Sequence, residues 1–258
     1  MILAGLELAR RLEAAEVFTG MACAEAQPGA AMLEVAGGVA IFAGAGSPLT
    51  RAVGLGMRGA VSAADCDRME EFFAAHGCPS SVEICPLAHP SVVEQLSARG
   101  YRLTEFNNVL VRPLAGLPVQ PAAADVRLAG PDEGPLWAAT AARGFLEKDT
   151  FGEEELEVGR TIFRIRRARC YLARAGGQAA AVAALVIHGG LATLFADSTA
   201  INFRGRGLQG ALIRQRLSVA GEEGCDLATA ATLPGSPSQR NYERCGFQVV
   251  YTRVVLMR

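Results

Sequence analysis

The stretch with the clearest chemical potential is the glycine-rich turn Arg-Gly-Arg-Gly at residues 204–207, which leads into a helix predicted to begin near Leu208. The first turn of a helix carries unpartnered main-chain N–H groups, and with the helix dipole these favour an anion such as a pyrophosphate. Glycine lets the backbone approach a phosphate closely, while Arg204 and Arg206 add charged donors. The turn therefore predicts a phosphate site, and an ordinary left-handed turn before a helix is the plainer alternative.

Strands and helices must hold this turn in place. An apolar run at residues 192–199 predicts the strand before it, and residues 226–232 predict the strand after its helix. The helix has a wide apolar face, which suits packing on a sheet. Further along, residues 241–247 form a segment that contains Tyr242.

This order of elements resembles the cofactor-binding half of the GCN5-related N-acetyltransferase (GNAT) superfamily. The family signature is Gln or Arg, two residues, Gly, one residue, then Gly or Ala. Arg204, Gly207 and Gln209 occupy those positions here. Gln209 departs from the usual small residue, and Gly210 follows it directly. The resemblance covers residues 125–258.

The resemblance implies transfer of an acetyl or other acyl group from coenzyme A to an amine, by direct attack. Tyr242 falls where the family often has a tyrosine, and Thr199 falls where the family's main chain faces the thioester carbonyl. Both are candidate catalytic residues, and the resemblance implies that the Tyr242 phenol, at an ordinary pKa, protonates the departing thiolate. A sheet hydrogen bond for Thr199 and a half-buried helix tyrosine for Tyr242 are the plainer alternatives. The implied acyl-CoA contacts are Thr199, Arg204, Gly205, Arg206, Gly207, Leu208, Gln209, Gly210 and Asn241.

The first half of the chain is predicted to run α, β, β, β, α, β, α, β, which is close to the order of the same fold. No comparable binding turn occurs between Leu55 and Ala63. We therefore predict an α/β protein of two GNAT-like domains, each a twisted mixed sheet flanked by helices. Residues 1–117 form a degenerate copy without the cofactor loop, residues 118–124 a linker rich in Pro and Ala, and residues 125–258 the acyl-CoA-binding domain. Any alternating α/β domain is the plainer interpretation of the first half.

The second half is predicted to contain a strand, two helices, three strands, the binding helix, a strand, a helix and two final strands. A strand is also expected at residues 49–55, and a helix at residues 131–145. Ser62 is a plausible N-cap for a helix that begins at Ala63.

A general base is harder to identify. Asp197, His188, Glu147 and Asp149 are candidates, although a surface or capping role suits each of them as well. Two histidines and two cysteines at residues 76–89 have the ligand types of a zinc site, but their spacing fits no standard finger. No metal is predicted.

The bulk properties limit the class of protein. The chain has 258 residues, a net charge of −1, seven cysteines and Lys148 as its single lysine. This charge argues against a nucleic-acid partner, and the cysteine usage favours reduced thiols in a cytoplasmic protein. No segment has the apolar length of a membrane span, and residues 1–16 predict an amphipathic helix rather than a signal peptide. A small-molecule amine is the expected partner, and a homodimer is left open. A non-catalytic acyl-CoA-binding or regulatory protein is the alternative function.

Overall fold

A computed structural model describes residues 2–115 and 125–258 of the chain. The predicted linker at residues 118–124 lies outside the described residues. Within the described ranges, no helix combines the length and the apolar character that crossing a membrane requires.

The described residues form helices and strands in an alternating order. The helices are α1 Leu6–Ala26, α2 Ala63–Ala75, α3 Ser91–Ala98, α4 Gly134–Leu146, α5 Glu153–Arg164, α6 Leu208–Glu222 and α7 Pro237–Arg244. The strands are β1 Ala31–Val35, β2 Gly38–Phe42, β3 Arg51–Val53, β4 Ser81–Ile84, β5 Arg102–Pro113, β6 Val126–Leu128, β7 Arg169–Ala175, β8 Gln178–His188, β9 Leu191–Thr199, β10 Leu227–Thr232 and β11 Gln248–Met257.

The mixed α/β class and the element order of the first half are confirmed. Three details of the prediction are wrong. The strand expected at residues 49–55 is only Arg51–Val53, and the helix expected from Pro131 starts as the 3₁₀ turn Pro131–Glu133. The two final strands are one strand, β11, because residues 248–257 continue in extended form without a turn.

The chain divides into two compact units: residues 1–109 with 249–258, and residues 110–248. The predicted division placed residues 249–258 in the second domain, whereas the structure packs them in the first unit. The reason is pairing: β11 lies antiparallel to β4, with Val254 opposite Ile84 and Met257 opposite Ser81. Non-local pairing of this kind has no signature in the local sequence.

The first unit contains the strand order β1-β2-β3-β4-β11. β3 and β4 are parallel, and the other neighbouring pairs are antiparallel. The core contains Met69 and Phe73 of α2 and Leu96 of α3, all fully buried. Such residues recur at helical spacing, which is why these segments fold as helices on the sheet.

A buried ionic cluster connects β11 to α1 and β4 in the first unit. Arg253, whose side chain is 4% exposed, lies 2.8 Å from Glu13, 3.1 Å from Glu16 and 3.7 Å from Glu83. Burial raises the pKa of Glu83, and Arg51 and Arg253 oppose that rise. β11 therefore supplies a positive charge that compensates carboxylates from two other elements.

We predict that Arg253→Met destabilises the first unit by roughly 3–5 kcal/mol, because it removes the buried cation that lies 2.8 Å from the buried Glu13 carboxylate. Chemical denaturation followed by circular dichroism measures the change. Arg258→Met is the matched control, since the Arg258 side chain is 52% exposed and pairs with Glu70 at 3.0 Å. An exposed pair contributes about 0–1 kcal/mol. Equal effects of the two substitutions would contradict the proposed role of Arg253.

The second unit contains the strand order β10-β9-β8-β7-β6. β10 is parallel to β9, while β9, β8, β7 and β6 pair antiparallel in turn. Neighbouring residues of β7 face opposite sides: Tyr171 packs in the core that α6 covers, and Leu172 packs in the core of α4 and α5. Side chains alternate along a strand, so the sheet is covered on both faces.

Candidate functional site

The strands β9 and β10 separate after a short stretch of parallel pairing. Residues 191–193 of β9 pair with residues 227–229 of β10, and β9 then continues to Thr199. In the described register, the main-chain groups of β9 beyond Thr193 have no ladder partner on the β10 side. A parting of two parallel strands creates a slot between them that main-chain donors and acceptors line.

A bulge interrupts β9 within this parting. Val182 of β8 lies opposite Ser198 and Ala184 lies opposite Phe195, so two residues of β9, Ala196 and Asp197, face one residue of β8. Ala196 has φ +56°, a left-handed conformation that non-glycine residues rarely adopt. A bulge bends a strand and redirects its main-chain groups.

Thr199 presents its main chain to the β10 side. Ala200 N donates to Ala180 O at 3.0 Å, and Thr199 lies opposite Ala181. Hydrogen-bonded and non-hydrogen-bonded pairs alternate in an antiparallel ladder, so the Thr199 N–H and C=O point away from β8. The Thr199 carbonyl accepts a bond from Arg204 Nε at 3.3 Å.

The start of α6 is open. Gly205 and Gly207 have φ of +76° and +75°, and the first helical bond runs from Ala211 N to Gly207 O at 3.0 Å. Within the described chain, no side chain caps this helix. The N–H groups of Leu208, Gln209 and Gly210 belong to the first turn, which has no acceptor inside the helix. These donors, with the helix dipole, suit an anion.

The corresponding helix of the first unit, α2, begins differently. The Ser62 side chain accepts a bond from Asp65 N, and the Asp65 carboxylate accepts one from Ser62 N at 3.0 Å. The N-cap predicted at Ser62 is confirmed. This capping box satisfies the donors and places a carboxylate at the helix start, where it opposes a phosphate.

The two arginines of the turn make local contacts. Arg204 Nη1 lies 2.8 Å from Glu147, and Arg204 Nη2 donates to Gly144 O at 2.8 Å. Arg206 donates to Asn202 O at 3.2 Å, and its guanidinium carbon lies 5.2 Å from the centroid of a neighbouring phenylalanine ring. Arg204 thus joins the end of α4 to the turn.

Gln209 connects α6 to α7. Its amide nitrogen donates to Ser238 Oγ at 2.8 Å, and its amide oxygen accepts a bond from Asn241 at 2.8 Å. The departure from a small residue at this position therefore adds two hydrogen bonds between the helices. The predicted contact residue Asn241 is part of this bridge.

Tyr242 is fully buried, and its hydroxyl donates to Asp197 Oδ2 at 2.7 Å. Burial first, and then the Asp197 charge, hold the pKa of this phenol well above its usual value. Asp197 in turn pairs with Arg216, with contacts of 2.5 Å and 3.1 Å from the two guanidinium nitrogens. Asp197 is therefore neither a surface residue nor a helix cap.

A cavity of about 610 Å³ lies at the end of α4. Glu147 and Asp149 line it together with Arg143 and with Ala200, the residue after Thr199. The Asp149 side chain is 86% exposed and lies 3.7 Å from Arg143. This cavity brings two of the four general-base candidates together.

The remaining candidates lie apart from the site. His188 is exposed at the end of β8. His76 Nδ1 lies 2.7 Å from Phe72 O, and His89 contacts Ser91. In the part of the chain that the structure describes, no group of three His, Cys, Asp or Glu residues has the arrangement of a metal site.

The sequence interpretation missed Arg216, which has 0% exposure. Its position does carry a signal: Arg216 interrupts an apolar face between Leu212 and Ala220 at helical spacing. A charged residue on a buried face requires a buried partner. The bulge at Ala196 has no comparable signal.

Residues 138–247 match the family model described as Acetyltransferase (GNAT) family. Among solved structures, the chain is similar to a GCN5-related N-acetyltransferase from Kribbella flavida, with 20% identity, a TM-score of 0.70 and coverage of 96% of this chain and 95% of the other. It is also similar to a tandem GNAT protein from the clavulanic acid biosynthesis pathway, with 18% identity, a TM-score of 0.60 and coverage of 98% and 94%. A search of curated proteins found no match.

Residues 138–247 therefore match the GNAT acetyltransferase family, and nearly the whole chain shares its fold with solved GNAT proteins, one of them a tandem protein. The family resemblance seen in the sequence is confirmed.

We predict that Gln209→Ala lowers the free energy of unfolding by about 1–2 kcal/mol, because two hydrogen bonds between α6 and α7 are lost. Urea denaturation measures this change. Gln215→Ala on the same helix is the control and should stay within about 0.5 kcal/mol of wild type. If Gln209→Ala is as stable as its control, the bridge does not contribute to stability.

Proposed function

We propose that the chain is an acyl-CoA-dependent N-acyltransferase that transfers an acetyl group to a small amine by direct attack. The observation that carries this proposal is the open start of α6 beside the parted end of β9. Family membership supports the use of an acyl-CoA, and the open donors supply what its diphosphate needs. Acetyl is the proposed acyl group, and the cytoplasm is the proposed location.

In this proposal, the turn and the first helical turn hold the diphosphate. Main-chain N–H groups of Gly205, Gly207 and Leu208 to Gly210 donate to it, and Arg206 adds positive charge. Arg204 and Gln209 act through the elements they connect, since their side chains already bind Glu147 and α7. Asn241 orients Gln209.

The chemistry requires a donor for the thioester oxygen and a path for one proton. The amine nitrogen attacks the thioester carbonyl carbon, the carbon–sulfur bond breaks, and the thiolate leaves with a proton lost by the amine. We propose that the Thr199 N–H, which points to the β10 side, stabilises charge on the carbonyl oxygen. Tyr242 as the acid stays a prediction, and its burial and its bond to Asp197 weigh against it.

We propose the cavity beside Thr199 and Ala200 as the site of the amine. Glu147 and Asp149 supply carboxylates that can bind an ammonium group, beside the cations Arg143, Lys148 and Arg174 in the same lining. Asp149 has the weaker protein contact, since its distance to Arg143 is 3.7 Å, so it is the residue available to a ligand.

The first unit is proposed as a degenerate copy that does not bind the cofactor. Its support is the capping box at Ser62 and Asp65, which occupies the helix start where a phosphate would bind.

We predict that Gly207→Asp weakens coenzyme A binding about 100-fold, because a carboxylate about 5 Å from a phosphate costs about 3 kcal/mol at an effective dielectric constant near 20. Isothermal titration calorimetry measures the affinity. Gly224→Asp is the matched control: it has φ +73° at the opposite end of the same helix, and nothing lies within 4 Å of an added Cβ. Equal affinities of the two variants would exclude the helix start as the diphosphate site.

We predict that Asp149→Asn raises KM for the amine about tenfold and leaves the affinity for coenzyme A unchanged, since one ammonium–carboxylate contact is lost. Steady-state kinetics with an amine found by screening for thiol release from acetyl-CoA measure this. Asp132→Asn, an exposed aspartate outside the cavity, is the control. An unchanged KM for the amine in Asp149→Asn would show that the amine does not bind in this cavity. Coenzyme A binding without thiol release for any amine would favour a non-catalytic binding protein.

A further inference from the structure

The strained bulge of β9 requires contacts from neighbouring elements that stabilise its backbone conformation. Ala196 is in the left-handed region at φ +56°, which costs a non-glycine residue roughly 1–2 kcal/mol. Strained backbone persists only where its surroundings determine it, and such strain concentrates at functional sites. The bulge lies between Thr193, the last residue paired with β10, and Thr199, the proposed thioester contact.

Arg216 contacts residues on both sides of the bulge. Its Nη1 donates to Ala184 O at 2.9 Å and lies 3.4 Å from Phe195 O, and these two residues form the pair that precedes the bulge. The same guanidinium binds both carboxylate oxygens of Asp197, the residue that follows Ala196. One side chain thus contacts the backbone before the strained residue and the side chain of the residue after it.

Tyr242 completes this arrangement from α7. Its hydroxyl donates to Asp197 Oδ2, and its ring packs edge-on against Phe247 with centroids 4.9 Å apart. Arg216 itself is anchored to its own helix by a bond from Nε to Leu212 O at 3.1 Å. The network therefore joins α6, β9 and α7 at the bulge.

Stability alone does not explain a buried network of this kind. Desolvation of a buried ion pair often cancels its Coulomb energy, and apolar residues of similar volume are commonly as stable. A network that satisfies every member does fix a single backbone geometry. The buried network of Arg216, Asp197 and Tyr242 therefore acts mainly by fixing the backbone geometry of β9.

We propose that Arg216, Asp197 and Tyr242 are positioning residues for acyl transfer: they hold the Ala196 bulge so that the β9 main chain beyond it meets the thioester carbonyl. This inference rests on the proposed function. Tyr242 acts here through Asp197 and is not the acid that protonates the thiolate. Asp197, held by a cation and a phenol, is not the general base.

The test measures carbonyl polarisation directly, so it needs no amine. Isotope-edited infrared spectroscopy records the thioester carbonyl stretch of ¹³C-acetyl-CoA, free and bound. In wild type the bound stretch is expected at lower frequency than the free one. Tyr242→Phe should move it back toward the free value, and Tyr171→Phe, the same change at another buried tyrosine of this core, should leave it at the wild-type value. An unchanged stretch in Tyr242→Phe overturns the inference.

A second comparison separates positioning from general packing. Adding Ala196→Gly to Tyr242→Phe removes the energetic cost of the left-handed conformation at residue 196. The bulge then depends less on the contacts from Tyr242, so the thioester carbonyl stretch is expected to return toward the wild-type value. Purely additive effects of the two changes would count against the proposal. Because both variants keep Arg216 and Asp197 paired, both are expected to fold.

Kinetics provide the third comparison. Tyr242→Phe is expected to lower kcat about tenfold, the value of one hydrogen bond to a charged group, and to keep the basic limb of the pH profile. A roughly 10²–10⁴-fold decrease in kcat, combined with disappearance of the basic limb of the pH profile, identifies Tyr242 as the acid and overturns the inference. Calorimetry on wild type keeps the two claims apart. No coenzyme A binding ends the proposed function, whereas binding with an unresponsive carbonyl stretch ends only the positioning role.

Discussion

The second unit depends on one constraint: β9 and β10 pair over only three residues each, and then part. A parallel pair needs a crossover, and α6 supplies it. The connection from β9 to α6 spans residues 200–207 and contains the 3₁₀ turn Ile201–Phe203 and the glycine turn. The open N–H groups of α6 therefore follow, within a few residues, a strand whose main-chain groups beyond Thr193 have no ladder partner on the β10 side in the described register. An extended ligand with a carbonyl at one end and a diphosphate at the other matches this sequence of donors.

The two units differ in whether the N–H groups at the start of a helix are open to an anion, although the order of elements around that helix is similar. In α6 the N-cap is Gly207, which has no side chain to offer, and the backbone turns through the left-handed region. In α2 the cap is Ser62, with Asp65 completing the box. The N–H groups at the start of α6 therefore have no side-chain acceptor among the described residues, whereas the capping box of α2 supplies acceptors that include a carboxylate. The contrast lies in two or three side chains rather than in the fold, so a copy can keep its architecture without an open helix start.

Local signals in the sequence predicted much of this arrangement. The start of α6 at Leu208 and the cap at Ser62 follow from glycine, serine and the apolar period, which act within a few residues. The place of β11 was not predictable, because Arg253 binds Glu13 and Glu16, which lie more than 200 positions earlier in the chain. Arg216 was overlooked because it occupies a stripe of apolar residues, although its charge there was the clue. The bulge at Ala196 depends on contacts from three elements, and alanine gives no sign of a left-handed conformation.

The central claim is that main-chain amides at the start of α6 hold a diphosphate. Its most direct test is a titration of glycine-labelled protein with coenzyme A, followed by ¹H–¹⁵N spectra. The account predicts large, saturable shifts for the amides of Gly205, Gly207 and Gly210, while Gly56 and Gly59 of the first unit stay unchanged. Saturable shifts in the first unit with none at the start of α6 would contradict it.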